Sequence, residues 1–141
     1  MNEQYALSRF LDAQALIDYD VALRELRNGR KEGHWIWFVF PQLGLGNSAI
    51  SDAFALTCLE EAQAYLEHTI LGARLRECTQ AVLETRGLTA NEIFGFPDWL
   101  KFRSCMTLFD CAAGGSCEFR EAIQKFFGGE GDAATLRLLR L

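Results

Sequence analysis

The sequence predicts an all-α fold: one globular helical domain, residues 1–141, of about seven or eight short-to-medium helices packed around a buried aromatic segment. Three observations carry that prediction. The longest aromatic run, Trp35 to Phe40, is six residues long, and no second convincing strand lies nearby to pair with its backbone groups. Apolar residues elsewhere recur at helical spacing, as in Tyr19, Ala22, Leu23 and Leu26. Both prolines, Pro41 and Pro97, stand at junctions, so the stretches between them are free to be helical. A chain of 141 residues that is 50% hydrophobic and 23% charged is ordinary for a folded domain. At this length it buries roughly 68–70% of its unfolded surface.

Taken in order, Leu7 to Gln14 forms a short helix with Leu7, Phe10 and Leu11 inward. Tyr19 to Leu26 forms the next, and Gly29 ends it in a left-handed turn. Trp35 to Phe40 is open to either reading, strand by its β-branched and aromatic content, or short buried helix stopped by Pro41; the helix is preferred. Leu43 to Ser51 reads as a loop with freedom at Gly44 and Gly46. Thr57-Cys58-Leu59-Glu60 matches a capping box opening a helix through Leu66. Leu71, Leu75, Cys78 and Val82 stripe the longest helix, which Gly87 ends. Thr89 caps a helix to Phe94, Asp98 one to about Cys111, Ser116 one to Gly128, and Asp132 a last short one.

Charge and cysteine usage narrow the function. The net charge is −5, and Arg24, Arg27, Arg30 and Lys31 read as a solvated helix end rather than a nucleic-acid footprint. No apolar run approaches the roughly twenty residues a membrane span requires. Met1 to Ser8 is polar and unlike a signal peptide. The five cysteines are odd in number and lack a Cys-x-x-Cys pair, so reduced thiols and a cytoplasmic location are expected. With His34 and His68 alone and no ligand pair, no metal site is expected. Gly44-Leu45-Gly46 is no phosphate loop, and no cofactor motif appears.

The candidate site is a small-ligand pocket built from the two aromatic segments. On the helix from Asp98, the residues Trp99, Phe102, Cys105, Met106, Leu108 and Phe109 face inward, and Lys101 falls at their edge. An ammonium there either snorkels over the core, pairs with Asp98 three residues back, or points into a pocket to hold an anion. His34 stands at the lip of the aromatic run, where it either bonds a backbone carbonyl or does acid–base work. Lys101 and His34 are thus the catalytic candidates. Trp35 and Trp37 could stack a planar ligand, with Trp99 as a third tryptophan. Gln42 and Ser48 flank the glycine loop as donors. Arg103 and Ser104 complete the ligand-binding set, although Arg103 falls opposite the apolar face. A small anionic ligand, phosphorylated or nucleotide-like, would use these groups together. The alternative is a non-catalytic interaction module or homodimer, docking through apolar surface near Leu45 or Leu136 to Leu141. His68, at a helix end, reads as a structural cation on the helix dipole.

Two blocks carry a family resemblance. His34-Trp35-Ile36-Trp37-Phe38-Val39-Phe40-Pro41-Gln42-Leu43, preceded by Leu26 to Gly29 and followed by Gly44 to Ser48, is the first; Asp98 to Phe109 is the second. Asp132 and Thr135 match the tail. From about Phe10 to Leu139 the chain resembles the bacterial domain-of-unknown-function family 1810, sometimes labelled "calpastatin" without physical support. The family pattern has a serine where Cys105 stands, so a hydroxyl-dependent role at that position does not transfer. The resemblance implies a compact helical domain and brings no established activity, substrate or cofactor.

Overall fold

The computed structural model describes residues 5–44, 53–115 and 117–139. Nine helices are delimited among them: α1 (Ser8–Leu16), α2 (Tyr19–Arg27), α3 (Ile36–Val39), α4 (Leu59–Glu67), α5 (Leu71–Leu83), α6 (Ala90–Phe94), α7 (Asp98–Ala113), α8 (Glu118–Phe127) and α9 (Ala133–Leu139). The count slightly exceeds the expected seven or eight. In place of strands, the described residues show one isolated parallel bridge, Leu43 with Leu56, where the Leu56 N–H donates to the Gln42 carbonyl at 2.9 Å.

The ambiguous aromatic run resolves as helix. Phe38 and Val39 N–H donate to the Trp35 carbonyl and Phe40 N–H to that of Ile36, which closes one turn internally. Phe40 then leaves the helical region at φ −122°, ψ 76°, as the steric demand of a following proline requires. Its ring is fully buried, edge-on to Phe94 at 5.8 Å and to Phe102 at 5.1 Å. Edge-to-face pairs of this kind add about 0.5–1.5 kcal/mol each beyond area burial.

Helix α7 is the longest at 16 residues, against 13 for α5, which reverses the expected order. It packs against α3, α4, α6, α8 and α9, so the inward face from Phe102 to Phe109 is the axis of the domain. Gly29 does end α2 at φ +77°, Thr89 forms a full capping box with Glu92, and Asp132 caps α9 through the Thr135 N–H at 2.9 Å.

Three local expectations need correction. Cys58, not Thr57, is the N-cap of α4; one residue out of frame, Thr57 donates its N–H and hydroxyl to Glu61 at 2.7 and 2.8 Å. Asp98 is the first residue of α7 behind Pro97, and its carboxylate is engaged elsewhere, by two lysines. His68 serves the start of α5 rather than the end of α4: its Nδ1 accepts the Ile70 and Leu71 N–H groups, both at 3.2 Å. The cap expected at Ser116 lies outside the described residues, as does the loop from Leu45 onward.

Candidate functional site

The site begins with one carboxylate. The turn closing α2 sends Arg30 N–H back to the Glu25 carbonyl, and Lys31 N–H donates to the Ile93 carbonyl at 2.7 Å, tying the chain to α6. Glu25 Oε1 then accepts three donors, the Glu32 N–H at 2.8 Å, the Gly33 N–H at 2.9 Å and the Trp35 indole N–H at 2.9 Å. Gly33 is required by close approach: a Cβ there would sit 2.8 Å from Cδ1 of the Trp35 ring. Burial pushes the Glu25 carboxyl up, but the Gly33, Glu32 and Trp35 donors and the Lys31 ammonium outweigh it, and the net shift is downward. Residues 32–35 are thus clamped, with His34 displayed to solvent.

Two ammonium groups meet on Asp98. Lys31 Nζ lies 2.7 Å from Oδ2 and Lys101 Nζ 3.2 Å from Oδ1. Lys31 is the inner one, its side chain 5% exposed, donating also to the Gly33 carbonyl and standing 5.0 Å from the Trp35 ring centroid. Lys101 is the outer one, 21% exposed, its ammonium 4.1 Å from the Trp37 centroid. Lys31 sits between Asp98 and Glu25, so it takes most of the available negative charge. Lys101 keeps a share of one carboxylate and a cation–π contact.

The other candidates divide clearly. Trp37 is half-buried beside Lys101, whereas Trp35 is 2% exposed and offers no free face. Trp99 stacks on Phe127 with ring centroids 6.2 Å apart. Gln42 is buried, with its Nε2 unpartnered. Arg103 donates to the Glu130 carbonyl at 3.1 Å and covers the Phe127 ring. The Ser104 hydroxyl donates to the Leu100 carbonyl within its own helix. Ser48 lies outside the described residues. Lys101 rests on Trp37 and is linked through Asp98 and Lys31 to the Gly33 carbonyl, one residue before His34; Arg103 is turned towards Glu130 and Phe127, and Ser104 bonds within its own helix.

Sequence reasoning missed Glu25 and Lys31. The basic run that contains Lys31 reads as a helix end, and nothing in spacing relates it to Asp98, 67 positions along the chain. A separate cleft of about 710 Å³ opens among Leu43, Gly44, the segment 55–60, Leu138 and Leu139. None of the described candidate residues of the His34 and Lys101 site lines it. Among the described residues, no group of three or more His, Cys, Asp or Glu is placed to hold a metal ion, and no helix is long and apolar enough to cross a membrane.

No curated protein matches the sequence. A conserved hypothetical protein of Mycobacterium tuberculosis, known from a crystal structure, superposes with a TM-score of 0.94 at 48% identity, covering 97% of this chain and 98% of that one. The model of the family described as "Protein of unknown function (DUF1810)" matches residues 4–139, and the chain belongs to that family.

Proposed function

We propose that the protein binds a small phosphorylated or nucleotide-like anion at the Lys101–Trp37 face, beside His34. The observation that carries this reading is the arrangement of Lys101. Its ammonium shares Asp98 with a more deeply buried lysine, rests over an aromatic ring and stays open to solvent. A second anion completes its coordination without displacing Asp98, since an ammonium has three donors. Recognition rests on charge rather than on stacking, because Trp35 is buried and Trp99 is already stacked on Phe127. A phosphate group supplies that charge. Turnover, in this reading, falls to His34 as acid–base group, imidazole being the side chain suited to that work near neutral pH. Lys101 stabilises the charge that develops. Arg103 and Ser104 drop out of the proposal, Arg103 being turned towards Glu130 and the Phe127 ring and Ser104 bonding within its own helix.

The test is a thermal-shift screen against inorganic phosphate, sugar phosphates, nucleotides, NAD, ADP-ribose and carboxylates. A ligand at about a hundred times its dissociation constant adds roughly 2.7 kcal/mol and several degrees. Lys101→Gln is expected to abolish that shift while changing the unliganded stability by less than about 1 kcal/mol. A shift that survives Lys101→Gln places the ligand elsewhere.

The alternative, an interaction module or homodimer using the C-terminal segment, is favoured by one observation. Leu138 is 55% exposed at the cleft rim, while Leu139 packs against the core. If this surface docks a second copy, Leu138→Ser shifts the sedimentation profile; an unchanged profile removes homodimerisation through this residue.

A further inference from the structure

Lys31 is a fixed charge behind the solvent-facing lysine. Its N–H donates to the Ile93 carbonyl at 2.7 Å, which fastens the main chain to α6. Its ammonium donates to the Gly33 carbonyl, lies 5.0 Å from the Trp35 ring centroid and grips Asp98 Oδ2 at 2.7 Å. Only 5% of the side chain is exposed. Lys101 takes the other oxygen of the same carboxylate at 3.2 Å, with its ammonium 4.1 Å from the Trp37 centroid. One carboxylate thus stands between two ammonium groups, and the shorter contact goes to the buried one.

We propose that Lys31 is the positioning residue of the anion site: it holds Asp98 by one oxygen, so that the other oxygen places Lys101 over Trp37 while the Lys101 charge stays available to a ligand. The proposal rests on the anion-binding reading above and adds what sets the affinity of that site. Lys101 and Asp98 by themselves cancel, and an anion approaching such a pair meets no net attraction. With Lys31 on the second oxygen, the three groups sum to one positive charge. Burial of Lys31 keeps that extra charge poorly screened by salt. Loss of one unit charge at this range changes the affinity for an anion on the order of tenfold.

The experiment measures the binding of inorganic phosphate by isothermal titration calorimetry at low salt. It uses the full chain, Lys31→Met, Asp98→Asn, the double variant of those two and Lys101→Gln. The triad carries one positive charge in the full chain and in the double variant, none in Lys31→Met and two in Asp98→Asn; Glu25 is the same in all. Lys31→Met is expected to weaken binding about tenfold, Asp98→Asn to tighten it, and the double variant to return it to within about twofold of the full chain. Lys101→Gln should abolish it. A residue that only supports the fold gives no such rescue: the double variant would then bind as poorly as Lys31→Met or worse. That outcome, or unchanged affinity in Lys31→Met, overturns the role of Lys31 and leaves the anion site standing. Methionine keeps an apolar stem against Trp35, and a thermal melt checks that the variant folds. If it does not, Asp98→Asn decides alone, and equal or weaker binding there overturns the proposal. Absence of phosphate binding to the full chain, or binding that survives Lys101→Gln, refutes the anion-site reading itself, and the role of Lys31 falls with it.

Discussion

Two polar groups in this molecule look alike in composition and differ in closure. The first lies inside the helices. Gln14 Nε2 donates to the Phe38 carbonyl at 2.7 Å, and its Oε1 accepts from Arg74 at 3.0 Å. Arg74 covers the Tyr19 ring, and the Tyr19 hydroxyl donates to Glu77 at 2.7 Å and accepts from the Cys78 thiol at 3.5 Å. The second is the Glu25–Lys31–Asp98–Lys101 group. In the first, the Gln14 amide at the centre is matched by protein partners on both its oxygen and its nitrogen, and it joins α1, α3 and α5. In the second, an inner lysine is fully matched and an outer one is not. The physics of buried polar groups makes the first a device for fixing one arrangement of the core, and leaves the second with capacity for something else. That contrast, rather than the count of polar residues, is why the proposed anion site is centred on Lys101.

The comparison breaks most visibly at Gln14. Replacing it by leucine keeps the volume but strands the Phe38 carbonyl and the Arg74 guanidinium, a cost of about 1–3 kcal/mol for an unsatisfied buried group. Gln14→Leu should therefore lower the denaturation midpoint clearly in urea, without altering anion affinity. If stability is unchanged, the network does not fix the core.

A smaller effect is expected at Glu25. Glu25→Ala removes the acceptor of three N–H groups in a half-buried place, for about 1–2 kcal/mol, and it frees the segment bearing His34. Unlike Gln14→Leu, it should also weaken phosphate binding. The pH dependence has a definite sign. The folded carboxyl titrates below its ordinary value, so its contribution is complete above roughly pH 5. It is lost as pH falls through the lowered folded value. Melting temperatures of the full chain and of Glu25→Gln should converge under acid; curves that stay parallel would show that the clamp contributes nothing.

The two groups also differ in how far the sequence revealed them. The helices were legible because Tyr19, Ala22, Leu23 and Leu26, or Leu71, Leu75, Cys78 and Val82, repeat at a spacing that local chemistry dictates, and all of them are buried. Caps were legible where the capping residue meets its own helix, as at Thr89 and Asp132. They failed where a side chain found a distant partner instead, as Asp98 did with Lys31, because spacing contains no information about contacts 67 residues apart. The Lys101–Asp98 pair, three residues apart, was visible for the same reason that its second lysine was not. Glu25 was hidden because an acidic residue on the polar side of an amphipathic helix looks solvated until the following loop folds back over it.

The smallest change sharpens the contrast through the thiols. Cys78 and Cys105 are buried, and burial pushes both up, Cys78 to about 12 and Cys105 well above its ordinary value. Cys58, Cys111 and Cys117 are half-buried, and of these Cys111 is also pushed up, by burial and by the Asp110 carboxylate, so it should label more slowly than Cys58 and Cys117. Since the thiolate is the reactive form, a disulfide reagent at pH 8 should label those three in the native protein and all five after denaturation. Cys78 lies in the closed network, so its protection measures how often that network opens. The linkage runs the other way from Glu25. A thiol whose folded value is raised favours the native state below its ordinary value near 8.5, and stability declines as pH rises towards about 12. Gln14→Leu should speed Cys78 labelling and Lys101→Gln should not. Equal acceleration by both would mean that the two polar groups are parts of one cooperative unit, and that the distinction between a closed network and an open site does not hold.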